Sequence, residues 1–455
     1  MKVLVLGSGP TGLLTGAALV QRGHEVTSVD RDPGPAADGT WRRRGVMQFE
    51  HAHGFRPQVA DVLQRRWPAA CDAWMGSGAE PMVVDVPGEG TRVIGSRSRR
   101  SVLERALRSA ASETPGLTLH VGHVDGLLSE DGRVTGAVVE KVPLTADLVV
   151  DASGRSSRID RTTDPELEGL CGLAYVDRTY QLLPGAEPGP MDNPLGSFSG
   201  YDGYQVLLFL HEAGHFSVLF VCPTADDALK PLRADAVFDE ACRAVPALAL
   251  WTDPDRARPT SPVMVGGALR NVYRSQRGLA ALVSVGDAVA TTTPTRGRGI
   301  AMAFTQVDAL LRLLDDGADP VSVADPFGAW CDELIRPWVE DHIAIDGDAV
   351  ARWQGAALDL TRPLTTERIC EAAQADPRIN EYAGPYFAMT DLPGCLQPAE
   401  PLARAVYETG WRAPYAPGPS RDQLVEVIDN AASVAGEGPE VRPRPAGRAS
   451  GWAPR

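Results

Sequence analysis

Two short strings, about 280 residues apart, carry the residue types that could do chemistry in this chain. The first is Gly7-Ser8-Gly9-Pro10-Thr11-Gly12, directly after the apolar run Val3-Leu4-Val5-Leu6. Glycines at this spacing between a strand and a helix suit a phosphate-binding turn. Gly7 permits the tight turn, Gly9 lets a pyrophosphate approach the backbone, and Gly12 lets helix and strand pack closely. The helix start then offers free N–H groups and a positive dipole end, and Pro10 gives up no needed donor there. Asp30 follows about 20 residues on, where a carboxylate holds a ribose hydroxyl. The same carboxylate would repel a 2′-phosphate, which argues against NADP at this position.

The second string decides between NAD and FAD. Gly286-Asp287 follows the buried run Leu282-Val283-Ser284-Val285 and precedes Pro294-Thr295-Arg296-Gly297-Arg298-Gly299. The carboxyl end of such a strand opens into the crevice of an open α/β sheet. A carboxylate at Asp287 can hold a ribityl hydroxyl. Gly297 and Gly299 open a long helix from Ile300, whose N–H groups can face the flavin edge that gains negative charge on reduction. The pair of strings predicts a chain that wraps FAD without a covalent link.

Three blocks resemble those of FAD-dependent monooxygenases of the aromatic-hydroxylase type and their polyene-epoxidising relatives. They are Gly7–Gly12 with Asp30-Arg31-Asp32, Asp147-Leu148-Val149-Val150-Asp151-Ala152-Ser153-Gly154-Arg155, and Gly286-Asp287-Ala288 through Gly299. The resemblance covers about residues 1–315. It implies that the middle block, with Asp151 and Gly154, approaches the flavin pyrophosphate from the other side. It also implies that Arg100, in an Arg-x-x-Leu-Glu pattern, contacts FAD. Pro10, Thr11, Arg31, Arg44, Gln48, Val124 and Pro294 complete the expected FAD-contacting set. Two departures stand out. The middle block reads Asp-Ala-Ser-Gly where single-component hydroxylases have an Asp-Gly form that meets NADPH. Thr293 precedes Pro294 where many relatives carry asparagine. Electrons could therefore come from reduced nicotinamide directly or from a separate flavin reductase.

Arg44 to His53 resembles the loop that leads under the flavin in the epoxidase-like relatives. His51 and His53 alternate there. Two ligands without a third at a telling distance do not make a metal site. His53 is the candidate catalytic residue, set against a purely structural role for both histidines. The activity implied is hydroxylation or epoxidation, with O2, of an apolar aromatic, indolic or polyene molecule through a C4a-peroxyflavin. The hard chemistry would belong to the cofactor. A halogenase would want an active-site lysine and a Trp-x-Trp motif. There is no Trp-x-Trp, and the lysines are only Lys2, Lys141 and Lys230. A dithiol reductase lacks its cysteine pair. A prenyl-reductase-type enzyme and a non-catalytic flavin-binding protein remain as alternatives.

The elements that must position these residues read as follows. Lys2–Leu6, Glu25–Val29, Leu117–Val121, Leu148–Asp151 and Leu279–Val285 are strands, and Leu13–Arg22 is a helix. Ser101-Val102-Leu103-Glu104 has capping-box spacing for a helix to Ala111. Gly126–Ser129 and Arg133–Glu140 flank a hairpin turn, as do Tyr204–Leu210 and His215–Cys222. Ile300, Ala303, Phe304, Val307, Leu310, Leu311 and Leu314 keep helical spacing. The expected fold is α/β: a Rossmann-like FAD-binding domain over 1–162 and 278–320, an antiparallel β-sheet substrate domain over 163–277, and a helical C-terminal region over 321–435. The Pro-, Gly- and Arg-rich stretch 436–455 reads as disordered.

Composition fits these expectations. A chain of 455 residues needs more than one core. A net charge of −15 argues against a nucleic-acid partner. Seven dispersed cysteines read as reduced thiols of a cytoplasmic protein. A strand beginning at residue 2 leaves no room for a signal peptide, and no apolar run reaches membrane-span length.

Overall fold

The computed structural model describes residues 1–436 except 44, 87, 89, 160–164 and 277. Arg44, the 436–455 tail beyond Gly436, and the limits drawn at 162/163 and 277/278 fall on or beside residues outside that set.

Alternation within the opening strand builds the first two layers. Val3 and Val5 of Lys2–Leu6 point to one side, Leu4 and Leu6 to the other, and all four are buried. A strand buried on both faces belongs in the middle of a parallel sheet. The sheet has five strands in the order Leu282–Ser284, Leu148–Asp151, Lys2–Leu6, Glu25–Asp30, Leu117–Val121, with every neighbouring pair parallel. Helices Pro10–Val20, Arg100–Ser112 and Gly299–Asp315 bury their apolar sides in the core cluster that holds Val3 and Val5. A three-stranded antiparallel sheet, Val124–Glu130, Arg133–Val139 and Val142–Thr145, covers the other side through Val134, Ala137 and Val139.

A six-stranded antiparallel sheet forms the second body. Its order is Gly196–Tyr201, Tyr204–Leu210, His215–Pro223, Leu173–Leu182, Ala257–Pro259, and Met264–Gly266 also pairs with Leu173–Leu182. Its outer face packs against helices Asp235–Ala244 and Arg421–Gly436. Its inner face carries Leu173, Tyr175, Leu207, Phe209, Leu219 and Val221, which pack with Ala52, Val350 and Trp353. Helices Ala324–Leu334, Arg336–Trp353, Thr366–Ala372, Asn380–Ala388 and Glu400–Glu408 follow the long helix, and their apolar sides extend the first core.

Three local expectations need correction. The first helix starts at Pro10, not Leu13. The returning strand is confined to Leu282–Ser284, because Ala281 sits at φ 59° and breaks the extended run from Leu279. The capping box at Ser101 does not form. The helix starts at Arg100 with Arg99 as its cap and no side-chain capping bond, and Glu104 turns inward instead.

Candidate functional site

The carboxyl ends of four parallel strands, at Leu6, Asp30, Asp151 and Ser284, open on one cleft. With its mouth it encloses about 1570 Å³. Gly7 lies at φ 110°, and a Cβ there would stand 2.4 Å from the Ala152 carbonyl oxygen. A Cβ on Gly12 would stand 1.9 Å from the Gly7 oxygen, so Gly12 serves helix–strand contact and does not line the cleft. Gly9 is different. Its Cβ would meet only an Arg43 nitrogen at 3.8 Å, so the backbone there is open to a ligand. Gly7, Gly9, Pro10 and Thr11 line the cleft, and no side chain caps the helix that begins at Pro10. Its first-turn N–H groups are therefore free for an anion.

Asp30 is tied to this turn. Its carboxylate accepts from the Ser8 N–H at 2.7 Å and the Asp32 N–H at 2.9 Å. Sequence reasoning passed over Arg43, whose side chain is 5% exposed. Its guanidinium meets Glu104, Asp32 at 3.3 Å and Asp30 at 3.5 Å. Glu104, almost wholly buried, also accepts from Arg100 Nε at 2.6 Å and so sets that guanidinium in the cleft wall. Arg31 and Gln48 line the cleft as well. A run of arginines at 42–44 does not say which one goes inside; only the three facing carboxylates do.

Gly286 at φ 69° turns the chain at the end of the returning strand. Its N–H donates to the buried Gln306 Oε1 at 2.8 Å, and its own missing Cβ makes room for Thr11. Asp287 then lines the cleft. Burial raises its pKa, while the Arg100 and Arg155 charges lower it. No hydrogen bond to its carboxylate forms among the described residues. Thr292 Oγ1, also in the cleft wall, is buried without a partner. Pro294, Gly297, Gly299 and Ile300 complete this wall. Gly297 is left-handed at φ 60°, and a Cβ on Gly299 would meet nothing within 4 Å. The long helix from Gly299 again has no side-chain cap.

Asp151 does not reach the cleft. It accepts from the Ser153 N–H at 3.0 Å, Ser153 Oγ at 2.6 Å and Ser157 Oγ at 2.5 Å, and so shapes the segment from which Ser153, Gly154 and Arg155 do reach it. Val124 is not brought to the cleft either. As the first residue of its strand it packs against the cluster under the three-stranded sheet.

At the other end the loop 52–55 and Phe209 of the inner sheet face close the cleft. Burial, with the nearby Arg100 charge, pushes the pKa of His53 down to about 3, so its ring is neutral. His51 leaves the cleft lining and pairs with the fully buried Asp177, Nδ1 to Oδ1 at 2.6 Å. Asp177 also accepts from the Ala52 N–H at 3.2 Å and thereby fixes the loop to the sheet. His211, likewise lowered to about 3 by burial, contacts Ser217 Oγ at 3.0 Å. Sequence periodicity gave no sign of this polar layer, because the partners of Asp177 and His211 lie on other segments of the chain.

Arg298 is the other residue missed. It lines the cleft with its backbone turn, while its guanidinium lies between the rings of Trp338 and Tyr386, 4.5 and 4.6 Å from their centroids, and binds Asp341 at 2.8 Å. Among the described residues no three His, Cys, Asp or Glu side chains cluster to hold a metal ion, and no helix is long and apolar enough to cross a membrane.

The donors fit a dinucleotide. Two uncapped helix starts, open backbone at Gly9 and Gly299, and the acid Asp287, whose carboxylate accepts no hydrogen bond among the described residues, lie along one cleft. No family model matches the chain. Among curated proteins, D-amino acid dehydrogenases of Rhizobium johnstonii and Sinorhizobium medicae are 45% identical over 67 residues, which is 15% of this chain and 16% of theirs. The match thus spans about a sixth of the length of those relatives. Among solved structures, PqsL of Pseudomonas aeruginosa, a probable FAD-dependent monooxygenase, superposes with a TM-score of 0.58 at 15% identity, over 78% of this chain and 98% of its own. The flavin-dependent brominase Bmp2 gives 0.57 at 13%, over 96% and 99%. A 2-methyl-3-hydroxypyridine-5-carboxylic acid oxygenase gives 0.56 at 17%, over 80% and 94%. At such identities the likeness is one of three-dimensional arrangement, and in that arrangement the chain has the fold of the FAD-dependent monooxygenases.

Proposed function

We propose that the chain is an FAD-dependent monooxygenase acting on an apolar aromatic, indolic or polyene small molecule. One observation carries this reading: the uncapped helix starts at Pro10 and Gly299 converge on a single cleft, with Asp287 between them. In this reading the N–H groups after Gly9 and the guanidinium of Arg100 hold the pyrophosphate. Asp30 meets the adenosine ribose and Asp287 the ribityl chain. Bound FAD, once reduced, would supply the electrons that activate O2, one atom of which would pass to the substrate while the other leaves as water. The chain's own work is then to position and to exclude water. N–H groups from Gly299 onward would stabilise negative charge on a flavin held there. The loop 52–55, clamped by Asp177, and Phe209 close the cleft on the sheet side. His53, neutral near pH 7, offers a hydrogen-bonding nitrogen to a substrate hydroxyl or ring N–H.

The 163–277 sheet would then be the substrate domain and 321–435 a helical support. Since no second nucleotide fingerprint occurs in the sequence, electrons would come from reduced nicotinamide or from a partner flavin reductase. The brominase likeness raises halogenation as a second activity. Against it, Lys230 pairs with Asp227 on an exposed turn, Lys141 is exposed in a hairpin, and Lys2 lies at the opposite end of its strand from the cleft.

Turnover under 18O2 with reduced flavin and a panel of aromatic and indolic compounds tests the assignment. One labelled oxygen atom in the product is the expected result. A product that has gained two hydrogens, or a halogen from added salt, would replace it.

A further inference from the structure

The turn that carries Thr293, Pro294 and Gly297 lines the cleft with its inner side. Its outer side is held by two elements that do not line the cleft, the strand Arg270–Tyr273 and the helix Arg336–Trp353. The Thr293 N–H donates to Asn271 Oδ1 at 2.8 Å, and Asn271 Nδ2 donates to Asp346 Oδ2 at 2.7 Å. Thr293 Oγ1 stands 3.4 Å from Asp346 Oδ1 and 3.1 Å from His342 Nδ1. Thr293, Asn271 and Asp346 thus close a ring, with His342 attached to it, and all four are buried.

The order of hydrogens in this ring follows from the charge of Asp346. An ionised carboxylate only accepts, so the Thr293 hydroxyl donates to Oδ1 and Asn271 to Oδ2. Burial, with the Arg298, Arg296 and Arg56 charges, holds the His342 pKa well below its ordinary value, so its ring is neutral. Thr293 Oγ1 then accepts from His342 Nδ1–H, and the bare nitrogen is Nε2, which has no partner among the described residues. A proton on Asp346 breaks this order. On Oδ1 it leaves the Thr293 hydroxyl without its acceptor. On Oδ2 it opposes the Asn271 amide, and turning that amide withdraws Oδ1 from the Thr293 N–H. Either way Thr293 loses a bond. The surroundings set when this happens. Burial raises the Asp346 pKa to about 6 and Glu367 adds to the rise, against the Asn271 and Thr293 hydrogen bonds and the Arg296 charge. Cys171 and Tyr175 also face Asp346, and burial pushes both of their pKa values up, so they stay neutral.

We propose that Asn271, His342 and Asp346 are positioning residues for the cofactor site, and that Thr293 carries proton uptake at Asp346 to the cleft wall it forms with Pro294. The proposal rests on the FAD reading and adds a control by pH to the same site. The far end of the turn is held separately, by Arg56 donating to the Arg296 oxygen at 2.6 Å and by the Arg298–Asp341 pair. Loss of a Thr293 bond is therefore felt at the start of the turn, beside Thr292 and Pro294 in the cleft wall.

The test is visible circular dichroism of the flavin-loaded protein from pH 8 to 5. In the parent protein the flavin bands should change in a step with its midpoint near pH 6. Asp346→Asn should lose that step. Thr293→Val deletes the hydroxyl that favours the ionised carboxylate, so its step should move to higher pH, while Thr293→Ser should keep the parent midpoint. The Val and Ser pair decides the matter if Asp346→Asn does not fold. Asp287 lies in the cleft itself with its pKa raised by burial, and any change it adds is common to parent and variants. Profiles of parent and Asp346→Asn that superimpose overturn the proposal. So does one midpoint shared by Thr293→Val and Thr293→Ser. A network that served stability alone would lower melting temperatures in the variants and leave the pH profile of the bound flavin unmoved. Failure of the flavin reading has a separate signature: the protein would neither retain FAD nor take it up on reconstitution at any pH in this range.

Discussion

Arg298 and Asp341 bind each other at 2.8 Å with side chains 1% and 3% exposed. Asp341 also accepts from the hydroxyls of Tyr386 and Thr366, so one carboxylate gathers the long helix and three later elements. Asp341→Ala would strand a buried guanidinium at the edge of the cleft. Breaking such a pair costs about 3–5 kcal/mol. Chemical denaturation should show a loss of that size, and thermal melting should release flavin at a lower temperature than in the parent protein.

The glycines of the first turn should separate by role. Gly12→Ala drives a Cβ into a backbone oxygen that cannot move aside, at a cost of about 3 kcal/mol or more. Poor folding is expected. Gly9→Ala has room in the protein alone and should fold with near-parent stability, yet fail to take up FAD. Soluble yield, melting temperature and flavin content read the contrast. A Gly9→Ala variant that retains flavin would remove the pyrophosphate from that place.

The two cleft acids should separate as well. Asp287→Ala deletes a carboxylate that accepts no hydrogen bond among the described residues, so FAD affinity should fall by tenfold to a hundredfold, roughly 1.5–3 kcal/mol, with little change in stability. Asp30→Ala should lower both, since Asp30 also holds the Ser8 N–H. Fluorescence titration of the apo-variants with FAD, beside urea unfolding, gives both numbers.

Acid should unfold the protein early. His53 and His211 are held near pKa 3 by burial, and burial also holds His342 well below its ordinary value. In the unfolded chain a histidine binds its proton near pH 6.5. Below that pH the unfolded state therefore binds more protons than the native state, and stability falls as pH drops from about 6.5 toward 3. Denaturation midpoints measured from pH 7 to 4 should decline, and His211→Gln should flatten the decline.

The glycine turn and the strand-end acid of the cleft were legible in the sequence because their constraints are local. Gly7, Gly9 and Gly12 answer to one turn, and Gly286-Asp287 to the end of one strand. Val124 and Asp151 show where that reasoning stops. Whether a strand-end residue faces the cleft depends on which sheet its strand joins, and Val124 joins the three-stranded layer. Glu104 shows the competing pull on a short motif. Its spacing from Ser101 suits a cap, but two guanidiniums bring it inside. Asp177 and Arg298 owe their places to partners 40 or more residues away, and local spacing carries no trace of such pairs.

The returning strand has a consequence for synthesis. Leu148–Asp151 pairs on one side with the opening strand and on the other with Leu282–Ser284. At ribosomal speed the 132 residues between Asp151 and Ser284 take on the order of ten seconds to emerge. For that interval the nascent chain presents an apolar strand edge with no neighbour, while the antiparallel sheet is still being made. The first lobe can close only after the second has been translated, so the two should fold almost together, and ribosome-stalled chains ending near residue 160 should need chaperone cover that chains ending past residue 320 do not.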